Sequence, residues 1–192
     1  MAAGTPLPSA DGSPPPLSDP FETLGLAPVF ELDPATLERR HRELSRALHP
    51  DRYAGRPSSE RQQALGRAIE VNEAFRTLRD PVRRAEALLV RHGRAVAETG
   101  GVPADPSLLM QVMERREALG DARRAKDVAA VRGLSRAVRE REQRVLAEMA
   151  KAFVQLPPDF TRIEPLLGEL RYHHRFLEEA LAIEDELDAK PA

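Results

Sequence analysis

Four Asp-Pro dipeptides punctuate this 192-residue sequence, at Asp19-Pro20, Asp33-Pro34, Asp80-Pro81 and Asp105-Pro106, and each opens a stretch where apolar residues return every three or four positions. An aspartate just before a helix accepts hydrogen bonds from the unpaired amides of its first turn. A proline at the first helical position has no amide to leave unpaired, and its fixed φ suits the helix. Ser58 or Ser59, Asp127 and Asp159 offer further caps. The spacing predicts helices over about 20–24, 34–48, 58–79, 81–92, 106–119, 128–155 and 159–187. At ~1.5 Å per residue the last two are each ~40 Å long and read as part of an antiparallel bundle. Aromatic residues make up only 4% and Trp is absent. Cores must then be built from Leu, Val, Ala, Ile and a few Phe, a palette that favours helix, so the expected fold class is all-α.

Composition divides the chain. Residues 1–17 hold five prolines with Gly, Ser and Ala, which predicts a disordered tail because too little apolar surface is present to offset the entropy of ordering. Residues 18–93 form a first helical domain. Residues 94–104, with Gly100-Gly101 and Pro103, read as a linker. Residues 105–188 form a three-helix bundle, with one stripe along Val131, Leu134, Val138, Val145, Met149 and Phe153 and another along Ile163, Leu166, Leu167, Leu170, His174, Leu177 and Leu181.

Several chemistries are excluded or unsupported. Cysteine is absent, which removes disulfides, thiolate metal ligands and thiol nucleophiles. No Gly-rich phosphate loop, His-Glu-x-x-His metal motif or activated nucleophile is present, so neither an enzyme, a metal nor a cofactor is expected. His173-His174 are adjacent and point in different directions on a helix, which argues against a metal pair. Lys plus Arg is 29 against 31 Asp plus Glu, so no broad positive field invites nucleic acid. No apolar run approaches the ~18 residues of a membrane span and no signal peptide is evident, which sets the expected location in the cytoplasm.

Two features remain. The helix over 34–48 carries Leu37, His41, Leu44 and Leu48 on one face and Arg39, Arg42 and Arg46 on the other, and it runs into His49-Pro50-Asp51-Arg52. Proline pushes the residue before it out of helical geometry, so Asp51 is expected in an exposed turn between two antiparallel helices. The second feature is a surplus of apolar residues. In the helix from 106, Leu108, Val112, Arg115 and Leu119 form a core face, yet Leu109, Met110 and Met113 lie a third to a half turn away beside Glu114 and Glu117. In the last helix Tyr172, Phe176 and Ile183 lie nearly opposite the core stripe. Apolar patches rimmed by charge mark protein-partner sites, and flexible Met side chains suit such a contact.

Asp19-Pro20-Phe21-Glu22-Thr23-Leu24-Gly25-Leu26, the basic helix, His49-Pro50-Asp51-Arg52-Tyr53, and then Asn72-Glu73-Ala74-Phe75 with Leu78 resemble a J domain in order and spacing. Asp80-Pro81-Val82-Arg83-Arg84-Ala85-Glu86-Ala87-Leu88-Leu89 and Leu108 to Glu117 are similar to the HscB-type iron-sulfur cluster co-chaperones. The resemblance implies a J domain that stimulates ATP hydrolysis by a seventy-kilodalton heat-shock chaperone of the HscA type through His49, Pro50 and Asp51, supported by Arg39, Arg42, Arg46 and Arg52. It also implies that the bundle binds an iron-sulfur scaffold protein of the IscU type through Leu109, Met110, Met113, Glu114, Glu117 and Tyr172. The alternative is a J protein that delivers a different client.

Overall fold

The computed structural model describes residues 19–96 and 106–189, so the tail over 1–17 and most of the 94–104 linker lie outside the described residues. The described residues form seven α-helices and one 3-10 turn, with no strand among them: α1 (Pro20–Leu24), α2 (Pro34–Ala47), the 3-10 turn Pro50–Tyr53, α3 (Ser58–Arg79), α4 (Pro81–Arg91), α5 (Pro106–Ala125), α6 (Val128–Val154) and α7 (Phe160–Asp188). Five aspartate caps act as the sequence suggests, while Asp105 lies outside the described residues. Asp19 accepts from the amides of Phe21 and Glu22, Asp33 from Ala35 and Thr36, and Asp80 from Val82 and Arg83. Asp127 and Asp159 cap α6 and α7. The main departure is α5, which continues past Gly120 to Ala125 and ends at Lys126 with φ 54°.

The helices divide into two compact units. The first comprises residues 19–28 and 33–79 and packs α1, α2 and α3 around Phe21, Leu24, Leu37, Val71, Ala74 and Leu78. Gly25 ends α1 at φ +62°, and the Arg40 Nε donates to the Leu24 carbonyl at 3.2 Å, which ties α2 to the end of α1. A side chain at Gly25 would place its Cβ 2.7 Å from Arg40 Nη2. His41 stacks on Phe75 with ring centroids 4.1 Å apart, and its Nε2 meets Asn72 Oδ1 at 2.9 Å, fastening α2 to α3. On α3 the buried face runs through Ala64, Val71, Ala74 and Leu78, while Leu65 is exposed.

The second unit comprises residues 29–32 with the chain from 80 onward, so α4, which the sequence reading counts with the first domain, belongs by its contacts to the bundle. Its buried Val82, Ala85, Leu88 and Leu89 account for that. Arg171 on α7 also donates to Glu86 on α4 from Nε at 3.0 Å and Nη2 at 2.7 Å. Phe30 joins the unit by stacking on Phe153, with Arg84 over its ring. The long pair α6 and α7 buries Val131, Val138, Val145 and Met149 against Ile163, Leu167 and Leu170. Arg141 and Glu169 bridge this pair with two hydrogen bonds, of 2.7 and 2.9 Å.

Candidate functional site

The end of α2 builds an exposed tip. Leu48 caps the helix, and His49 adopts extended geometry (φ −60°, ψ 134°) because Pro50 follows it. Pro50 then opens the 3-10 turn that carries Asp51, Arg52 and Tyr53. The His49 Nδ1 accepts the Asp51 backbone amide at 3.3 Å, which in a neutral ring leaves the proton on Nε2. The Asp51 carboxylate lies 3.4 Å from the same Nδ1 and is 90% exposed. A dyad this open to water lacks the burial and the third group that activate a catalyst. It presents an imidazole edge, a proline ring and an exposed carboxylate at one corner.

The basic face of α2 leads to that corner. Arg39 pairs with Glu43 at 4.0 Å and Arg42 with Glu38 at 3.3 Å, both on their own helix and both more than half exposed. Pairs of this kind hold the helix by only ~0.5 kcal/mol, so a partner's carboxylates can displace them. Arg46 and Arg52 are exposed and have no ion pair among the described residues. Arg40 has a different task, since its guanidinium turns inward to Leu24. A helical wheel places it about 100° from Arg39 and close to Leu44, at the margin of the apolar face, and that position was the signal.

On α5 the structure separates the two faces. Leu119 and Ala122 are buried and Leu108, Val112 and Arg115 are half-buried against α6 and α7. On the far side Met110 and Met113 are each 63% exposed, Glu114 and Glu117 are exposed, and Leu109 is half-buried at the margin. Asp121, one turn beyond Glu117 and paired with Arg124, extends the acidic rim. Its i+4 spacing from Glu117 was the signal, hidden by ending the helix at Leu119.

Tyr172 does not belong to this outer face. It is only 5% exposed and sits in a core cluster with Leu119, Ala122, Val131, Val138, Phe176, Ala180 and Ile183, its hydroxyl 3.5 Å from the Val112 carbonyl. Phe176 and Ile183 are likewise core rather than surplus. Nearby, His173 is wholly buried and His174 is hydrogen-bonded to Glu142 at 3.2 Å. That bond raises the His174 pKa against the opposing effect of burial. Among the described residues no group of His, Asp and Glu could hold a metal, and no helix is long and apolar enough to cross a membrane.

A helical hairpin closed by an exposed His-Pro-Asp turn, carried on the same chain as a helical bundle, defines a J-domain co-chaperone. The HSCB C-terminal oligomerisation domain family matches residues 104–181. A co-chaperone protein HscB homolog from Shewanella halifaxensis is 30% identical over 169 residues, covering 87% of this chain and 97% of that protein. The homolog from Shewanella sp. strain ANA-3 is 41% identical over 107 residues, an alignment that spans 56% of this chain and 62% of the relative. Among solved structures, chaperone HscB from Vibrio cholerae has a TM-score of 0.77 at 31% identity, covering 88% of this chain and 98% of that one. Human co-chaperone HscB has a TM-score of 0.79 at 28% identity, covering 88% and 84%. The chain belongs to the HscB co-chaperone family.

Proposed function

We propose that this protein couples an iron-sulfur scaffold protein of the IscU type to a seventy-kilodalton heat-shock chaperone of the HscA type and stimulates ATP hydrolysis by that chaperone. The observation that carries the reading is the exposed His49-Pro50-Asp51 corner at the end of a basic helix, on a chain whose other unit presents an apolar and acidic face on α5. The tip docks on the chaperone, with Arg39, Arg42, Arg46 and Arg52 supplying complementary charge. Such charges act chiefly on association rate and orientation. Met110, Met113, Leu109, Glu114 and Glu117 receive the scaffold, the methionines adapting to an apolar strip and the glutamates meeting its cations. Having both contacts on one chain raises the local concentration of scaffold beside the chaperone. Stimulated hydrolysis would then trap a scaffold segment on the chaperone and promote cluster transfer. In this reading the protein itself catalyses no reaction and holds no cofactor, and a sequence without cysteine is compatible with a reducing cytoplasm.

Isothermal calorimetry with a purified scaffold tests the α5 face. Met110→Ala with Met113→Ala is expected to weaken binding by ~2 kcal/mol or more, about thirty-fold, as truncation of interface anchors does. Unchanged affinity would remove α5 from the interface. A protein that stimulates the chaperone and never binds the scaffold would instead be an adaptor for another client.

A further inference from the structure

The apolar stripe that the sequence draws along α7 is covered over only part of its length. On the first half of α7 lies α4, which buries Val82, Ala85, Leu88 and Leu89 and sets Glu86 on Arg171. His174, bonded to Glu142 of α6, stands at the edge of that cover, where the charge of the α4 cap Asp80 still reaches it. One and two turns further on, the stripe continues through half-buried Leu177 to Leu181, which is 55% exposed. Leu181 lines a groove of about 460 Å³ between α6 and α7, and Arg132, Arg136, Arg139 and Gln143 form its other wall. At about 100° of rotation per residue Leu181 lies nearly opposite Ile183, which packs in the core cluster with Leu119 and Ala122 of α5, so the groove opens away from α5. Within it Arg132 is held by Glu184 at 3.1 Å and Asp188 at 2.7 Å, and Glu184 also meets the Ser135 hydroxyl. Arg136 and Arg139 are exposed and have no ion pair among the described residues; Glu140 is the carboxylate of the lining that is likewise unpaired.

We propose that this groove is a second docking site, which takes an acidic amphipathic helix from a partner protein. Its apolar residues, spaced by three and four, seat on Leu177 and Leu181, and its Asp or Glu side chains pair with Arg136 and Arg139. A lone exposed leucine is ordinary on a protein surface. Leu181 differs because it forms the floor of a groove walled by two unpaired guanidiniums, and because α4 already shows what the neighbouring stretch of α7 accepts: a helix with an apolar face and a glutamate laid on an arginine. Phosphate backbones fit less well, since an apolar floor and the carboxylates of Glu140 and Glu184 share the groove with the two arginines. The groove and the outer face of α5 lie on different sides of the bundle, so the inference stands whether or not α5 receives the scaffold.

Because the chain has no cysteine, Gln143→Cys accepts a single environment-sensitive fluorophore at the groove, and Ala125→Cys accepts one at the end of α5. The probe is a synthetic helical peptide with leucine at three- and four-residue spacing flanked by glutamate, added to the full chain up to about 1 mM. The Gln143→Cys label is expected to respond saturably and the Ala125→Cys label to stay silent. Arg136→Glu/Arg139→Glu and Leu181→Ser change only exposed side chains, and each is expected to weaken the peptide by about ten-fold or more. The same peptide with glutamine for glutamate should lose affinity to a similar degree, and added salt should weaken the acidic peptide. No saturable response, or equal affinity for the wild type and both variants, overturns the proposal. Tighter binding of a single-stranded oligonucleotide than of the peptide gives the groove to phosphate and overturns it too. A response to unlabelled protein that Glu114→Gln/Glu117→Gln removes would make the occupant a second copy of this chain, again overturning it. Calorimetry of Arg136→Glu/Arg139→Glu with the purified scaffold should return wild-type affinity; a loss there would make the groove part of the scaffold interface and not a second site. Failure of the α5 reading shows separately, as wild-type scaffold affinity in Met110→Ala/Met113→Ala.

Discussion

Replacing His173 by leucine should stabilise the bundle, and the gain should grow as the solution is acidified. The imidazole is fully buried, and neither Nδ1 nor Nε2 has a hydrogen-bond partner. The nearest carboxylate oxygen, Glu169 Oε1, lies 3.6 Å from Nε2, beyond hydrogen-bond reach, and is already taken by Arg141 Nε at 2.7 Å. An unsatisfied buried polar group costs ~1–3 kcal/mol, so removing the two nitrogens with a leucine that fills the same space should stabilise by about that amount at pH 7. Burial pushes the His173 pKa down from 6.5 to about 4, with Glu169 and Glu142 pulling it up and Arg115 and Arg141 pushing it down. Between those two values the unfolded chain binds a proton that the folded chain refuses, so acid favours unfolding. Integrated from pH 7 to pH 5, the loss is about 2 kcal/mol for the wild type and absent for the leucine variant. Urea unfolding of both proteins at pH 7 and pH 5, followed by far-ultraviolet circular dichroism, reads the two stabilities directly. A leucine variant less stable than wild type at pH 7, or a gap that stays constant between the two pH values, would refute the reasoning.

Two further substitutions probe the framework. Arg141→Met leaves the carboxylate of Glu169, 8% exposed at its side chain, without its bidentate partner. The expected loss is about 2 kcal/mol in chemical denaturation, below the ~3–5 of a fully buried pair because water reaches part of Arg141. Gly25→Ala forces a left-handed backbone on a residue with a Cβ and displaces the Arg40 guanidinium, so a loss of ~1–2 kcal/mol and a lower melting temperature of the first unit are expected.

The local signals were legible in the sequence because they act within one turn of chain. Asp19, Asp33 and Asp80 cap where an aspartate followed by proline must, and His49 leaves the helix because proline follows it. What failed were inferences that needed to know which helix lies on which face. Along α7 the buried set begins with Ile163, Leu167 and Leu170 and ends with Tyr172, Phe176, Ala180 and Ile183, moving around the helix as its neighbours change among α4, α5 and α6. A single stripe drawn through Leu177 and Leu181 follows only the first of these faces, and Leu181 ends up 55% exposed while Tyr172 is enclosed. The same blindness placed α4 with the first domain, since an ion pair such as Arg171 with Glu86 spans 85 residues and leaves no local trace. Met110 and Met113 were readable for the opposite reason: Leu108, Val112, Arg115 and Leu119 make the inward face of α5 without them, and both methionines are exposed.

The central claim is that the His49-Pro50-Asp51 corner acts on another protein's ATP hydrolysis while α5 supplies the client. Steady-state ATPase of the purified HscA-type chaperone, measured with this protein and with or without the scaffold, tests it most directly. The wild type is expected to stimulate hydrolysis, more strongly when scaffold is present. His49→Gln should abolish stimulation while leaving helicity and scaffold affinity unchanged, because His49 is exposed and its ring bonds within its own turn. Full stimulation by His49→Gln, or no response of the chaperone to the wild-type protein, would contradict it.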